Sequence, residues 1–113
     1  MKKNKYLIVA NWKQNGDLKF LTKLVNNFIK LHKKVKPRCD VLLLPPTLYL
    51  NMILSRLRHH RISLRKISLG VQNISPFLNG AYTGEQSVDM IKDYKCSFSL
   101  IGHSERRHIL LED

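Results

Sequence analysis

The chain has 113 residues, enough for one ordinary domain and no more. It is 43% apolar, which excludes wholesale disorder, and its net charge is +12, from 20 Lys and Arg against 8 Asp and Glu. The basic residues are dispersed, with no aromatic ladder between them and no zinc-finger or RNA-binding signature, so they read as a solvated surface and not as a specific nucleic-acid site.

The N-terminus, MKKNKYLIVANWK, is basic, but its apolar run covers only Tyr6 to Ala10. A secretory signal needs about 7–15 apolar residues and a membrane span about 20. No membrane association is expected, and cytoplasm is the expected location. Tyr6 to Ala10 is short, apolar and partly β-branched, and reads as a buried strand. Asn15-Gly16-Asp17 is turn chemistry, with Asp17 placed to cap a helix. Leu18, Leu21, Leu24, Val25, Phe28 and Leu31 then recur at helical spacing until Pro37.

Val41 to Leu44 is a second apolar run, cut off by Pro45-Pro46. Thr47 is placed to cap a helix with Leu50, Ile53, Leu54 and Leu57 inward. Ile67 to Val71 reads as a third, weaker strand, followed by a loop from Asn73 to Gly84. Ser87 to Tyr94 is a short helix with Val88 and Ile91 inward. Phe98 to Ile101 is the fourth strand, and Ser104 opens another helix. Cys39 and Cys96 have no C-x-x-C spacing and read as two reduced thiols. The order β-α-β-α-β-α-β-(α), with continuously apolar strands, implies a parallel sheet covered by helices. Neither common nucleotide fingerprint, G-x-G-x-x-G or G-x-x-x-x-G-K-[ST], is present.

Polar and ionisable residues gather just after the strands. Asn11 and Lys13 follow the first, Gln72 and Asn73 the third, His103 and Glu105 the fourth. In parallel α/β folds that carboxyl edge is where ligands sit. Alone, Lys13 reads as a surface lysine and His103 as a structural histidine. Their joint placement on one edge is what suggests a site.

Four blocks then point to one family. Asn11-Trp12-Lys13-Gln14-Asn15-Gly16 resembles the first-strand motif of the triosephosphate isomerases. Pro45-Pro46 with Tyr49-Leu50 resembles the segment after their second strand. Gly70-Val71-Gln72-Asn73 and Asn79 to Glu85 resemble the third strand and its loop. Gly102-His103-Ser104-Glu105-Arg106-Arg107-His108 resembles the fourth-strand motif. The blocks keep the family's order and spacing.

The resemblance implies a (β/α)8 TIM barrel of the α/β class, here an incomplete half-barrel of about four strands forming a single domain over residues 1–113. It implies an isomerase of dihydroxyacetone phosphate and glyceraldehyde 3-phosphate, homodimeric at full length, with no metal and no organic cofactor. Lys13 would meet the substrate's negative charge and that of the enediolate. Asn11 would bind in the substrate region and help position Lys13. His103 would be the electrophile that polarises the carbonyl and shuttles protons. Glu105 would support Lys13. Thr83 would reach a second subunit, with Glu85 and Arg106 as ion-pair partners at that contact. An enediolate needs preorganised donors where its charge develops. The positive end of a helix dipole disfavours a cationic imidazole, and triosephosphate isomerase is itself the usual illustration of that tuning.

A complete barrel takes about 250 residues. The family's general base, a glutamate after the sixth strand, has no counterpart here, nor do the mobile lid and the loops of the seventh and eighth strands. Glu105, Glu112 and Asp113 do not replace the base. Glu105 belongs to another motif, and the other two are expected on the helix after it. Leu111 stands where the family usually has glycine; Gln14 is at a varied position, and Gln86 and Val88 depart from the usual pattern. The expectation is a half-barrel inactive alone, with open edges at its first and fourth strands. The alternative is a basic half-barrel acting as a binding module, or a decayed remnant.

Overall fold

The computed structural model describes residues 6–113. It contains β1 (Leu7–Asn11), α1 (Leu18–Val35), β2 (Asp40–Leu44), a 3-10 turn (Thr47–Tyr49), α2 (Leu50–His59), β3 (Ile67–Val71), α3 (Val88–Asp93), β4 (Cys96–Ser99) and α4 (Ser104–His108). The four strands form one parallel sheet in the order β1-β2-β3-β4. Four parallel strands with flanking helices are half of a (β/α)8 barrel.

The core follows from strand position. β2 and β3 have neighbours on both sides, and all five residues of β3 are buried. β3, the weaker strand by sequence, is therefore the best covered. Its Ile67, Leu69 and Val71 pack with Val41 and Leu43 of β2 and with Ile53, Leu54 and Leu57 of α2. Each such side chain contributes roughly 1.5–3 kcal/mol by leaving water.

β1 departs from its expected burial. Leu7, Ile8 and Val9 remain 46%, 55% and 48% exposed. Among the described residues β1 has β2 on one side and no strand on the other. An apolar strand is buried only when both neighbours and both layers are in place. The fourth strand begins earlier than expected, at Cys96, and Ile101 lies beyond it, largely exposed.

The helices show the same division between local signal and packing. Asp17 Oδ1 accepts the Phe20 N–H at 2.8 Å and starts α1. The helix ends at Lys36 in a left-handed conformation, just before Pro37. Leu21, Val25 and Ile29 are its buried residues, whereas Leu18, Leu24 and Leu31 stay exposed. In α2 the inward set is the one the spacing implies: Leu50, Ile53, Leu54 and Leu57. Thr47 does not cap it. Thr47 lies inside the 3-10 turn that Pro46 opens, and no side chain caps either element. Ser87 caps α3 through the Met90 N–H, and Ile91 is buried. Val88 faces out, because α3 is short and only one position meets the sheet. Cys39 and Cys96 are both free thiols.

Close contact at Gly70 and strain at Leu111 each have a consequence for stability. At Gly70 a Cβ would lie 2.7 Å from Leu44 Cδ2 and 2.8 Å from the Phe98 carbonyl oxygen. The β3–β4 register also shifts there, between Leu69 and Gly70. Gly70→Ala is expected to lose about 1–3 kcal/mol in urea unfolding, since backbone on β4 must move. Leu111 has φ 58°, a left-handed conformation. It is solvent-exposed, so no packing offsets the strain. Leu111→Gly is expected to stabilise the chain by about 0.5–1 kcal/mol, read as a higher urea midpoint with unchanged slope.

Candidate active site

The carboxyl ends of the strands open into a cleft of about 630 Å³, lined by Asn11, Lys13, Gln72, His103, Glu105 and Arg106 among others. Parallel strands deliver all their carboxyl ends to one edge of the sheet, so residues distant in sequence meet there. Lys13 follows β1 and Glu105 begins α4 after β4, with two strands between them in the sheet. Even so, Lys13 Nζ lies 2.6 Å from Glu105 Oε1. The two long side chains, each carried on a segment past its strand, close that distance.

Lys13 stands in a left-handed backbone conformation, φ 54°. Its N–H donates to Asn11 Oδ1 at 2.9 Å, and its carbonyl accepts from Gln72 Nε2 at 2.9 Å. The preceding residue is held as well. Trp12 N–H donates to the Leu44 carbonyl, and Asn15 Nδ2 donates to the Trp12 carbonyl.

His103 is the N-cap of α4, and its Nδ1 accepts the backbone N–H of Glu105 at 3.1 Å. A ring nitrogen that accepts a hydrogen bond carries no proton, so in the neutral ring the proton is on Nε2. The 3.6 Å approach of Nδ1 to Glu105 Oε2 is an ion pair only when the ring is protonated. Gly102, at φ 63°, makes the turn that brings His103 into place.

The Glu105 carboxyl is held below the usual carboxylate range, first by the hydrogen bond from Lys13, against a weaker opposing effect of desolvation, and further by the Lys13 and His103 charges. The two side chains are 52% and 44% exposed, so the pair adds little to stability. Its use is geometric: it keeps an ammonium at the mouth of the cleft.

Arg106 is engaged within the chain. Within the chain its Nε and a terminal nitrogen donate to the two carboxylate oxygens of Glu112, at 2.9 and 2.5 Å. Glu112 lies past the end of α4, brought back by the turn at Leu111. The guanidinium pKa is raised by Glu112 and, more weakly, by Glu85. Thr83 is exposed in the loop between β3 and α3 and does not line the cleft. Glu85 lines a smaller hollow beside Phe77 and Tyr82, whose rings stack at 4.0 Å. Among the described residues, no group of three His, Cys, Asp or Glu side chains is arranged to hold a metal ion.

Residues 6–113 match the family model described as triosephosphate isomerase. The chain belongs to the triosephosphate isomerase family. It is 40% identical over 108 residues to the triosephosphate isomerase of Lawsonia intracellularis, covering 96% of this chain and 41% of that protein. It is 39% identical over 109 residues to that of Legionella pneumophila strain Lens, covering 95% of this chain and 41% of that protein. The chain thus spans about two-fifths of the length of these triosephosphate isomerases.

A carboxyl whose folded pKa is depressed gives up stability as pH falls, because the unfolded chain takes the proton first. For Glu105 that loss begins in the ordinary carboxylate range and is complete below the folded value. Lys13→Met is expected to move the Glu105 midpoint up toward the ordinary range, followed by carboxyl ¹³C NMR titration. An unchanged midpoint would mean that Lys13 is not the cause.

Proposed function

We propose that this chain carries the electrophile-and-cation half of a triosephosphate isomerase active site, interconverting dihydroxyacetone phosphate and glyceraldehyde 3-phosphate through an enediolate. The observation that carries this reading is the meeting of Lys13, Glu105 and His103 at one cleft, from the two outermost strands. Lys13 supplies a fixed positive charge for the anionic substrate and for the charge that grows on the enediolate. Asn11 binds the Lys13 backbone and borders the same cleft. His103, with its proton on Nε2, polarises the carbonyl and passes protons between the two oxygens. Glu105 holds the ammonium in place.

Abstraction of the carbon-bound proton falls to a glutamate after a sixth strand in this family, and the described residues contain four strands. The 113-residue chain by itself is therefore assigned no turnover. The complete enzyme is assigned to the cytoplasm as a homodimer, with Thr83, Glu85 and Arg106 at the subunit contact. The exposure of the Thr83 loop supports this, as does the nearness of Glu85 to Arg106, felt in the latter's pKa.

A coupled assay tests the reading. The chain alone is expected to convert dihydroxyacetone phosphate no faster than background. Adding the remaining segment of a full-length relative is expected to restore turnover. Lys13→Met and His103→Gln should each lower the restored rate by about 10²–10⁴-fold. Turnover by the chain alone, or restored turnover indifferent to both substitutions, would overturn it.

A further inference from the structure

A lysine in the left-handed region is costly and persists only where its surroundings over-determine it. Lys13 is such a residue, at φ 54°. Four polar backbone groups flank the strained bond, and all four are satisfied. Trp12 N–H goes to the Leu44 carbonyl at 3.2 Å, and Lys13 N–H to Asn11 Oδ1 at 2.9 Å. The Trp12 carbonyl takes Asn15 Nδ2 at 3.0 Å, and the Lys13 carbonyl takes Gln72 Nε2 at 2.9 Å.

These bonds differ in what they can enforce. Asn11 and Asn15 belong to the same segment as Lys13 and move with it. Trp12 to Leu44 only extends the β1–β2 ladder. Gln72 comes from the end of β3, two strands away. Its Nε2 also donates to the Leu44 carbonyl at 2.9 Å, so one amide joins the carboxyl ends of β1, β2 and β3. Its own base is rigid. Val71 before it is fully buried, and the Val71 carbonyl accepts the Leu100 N–H at 2.9 Å. Gln72 is thus a fixed point outside the loop against which the Lys13 carbonyl is set.

We infer that Gln72 is a positioning residue for Lys13: its side-chain amide fixes the left-handed backbone from which the ammonium reaches Glu105 and the cleft. Its value for catalysis rests on the reading of Lys13 given above. The chemistry required is that of a double donor. A carboxylate of the same shape would repel both carbonyls, and an apolar side chain of the same length would leave both unmet.

Two measurements test this without turnover, so they succeed or fail apart from the isomerase assay. In the unsubstituted chain, the Gln72 side-chain amide hydrogens are expected to exchange with solvent more slowly than those of Gln86. Gln86 makes a single 3.2 Å bond, to the nearby Gly84 carbonyl. In Gln72→Met, which is neutral and donates to neither carbonyl, the Glu105 carboxyl midpoint is expected to rise toward its position in Lys13→Met. Gln86→Met should leave it where it is. A role in filling space alone would leave Glu105 unmoved in Gln72→Met. Gln72 hydrogens that exchange as fast as those of Gln86, or a Glu105 midpoint unchanged in Gln72→Met, would overturn the inference. Should a variant lose its cooperative melt, the exchange comparison decides.

Discussion

The contact on which the site depends is the 2.6 Å ion pair between Lys13 and Glu105. It joins the segments that follow the first and last strands of the sheet, with β2 and β3 lying between. Two conditions make it possible. All the strands run in parallel, so every following segment emerges on one edge. Lys13 and Glu105 also carry long side chains on the segments past their strands, which span the remaining gap.

The order of the strands sets the energetic character of the fold. The middle of the sheet is dry and well packed, with Ile67, Leu69 and Val71 fully buried. Its margins are not. β1 exposes apolar side chains, and so do the flanks of α1 at Leu18, Phe20 and Leu31. In a closed barrel, strands and helices would cover such positions. The matched relatives are longer, with 41% of their length represented here. The exposed margins are the surfaces a complete barrel would use.

Non-glycine residues at positive φ follow α1, α2 and α3, at Lys36, Arg61 and Lys95, and two more stand at the site and just beyond α4. Lys13 and Leu111 both sit at positive φ without being glycine, but their surroundings differ. Lys13 is held by side chains from two strands, as a strained functional residue must be. Leu111 is exposed and turns the chain so that Glu112 meets Arg106. A glycine at position 111 would make that turn without strain.

Much of this was legible in the sequence. The alternation of apolar runs with helical stripes determined a parallel α/β sheet, and Asp17 announced its helix because capping is local chemistry, whereas Thr47 was drawn into the 3-10 turn. The motifs around Asn11, Lys13, His103 and Glu105 marked one edge of that sheet. Burial was less legible. Leu7 and Val88 are as apolar as Leu69 and Ile91, but only a neighbour in space decides which of them is covered. The pairing of Arg106 with Glu112, and the reach of Gln72 to Lys13, were equally hidden. The first is set by the turn at Leu111 and the second by the register of the strands, neither of which a sequence pattern displays. The sequence by itself determined which chemical groups stand after each strand. The tertiary structure decided which of them touch, because a hydrogen bond depends on distance and direction.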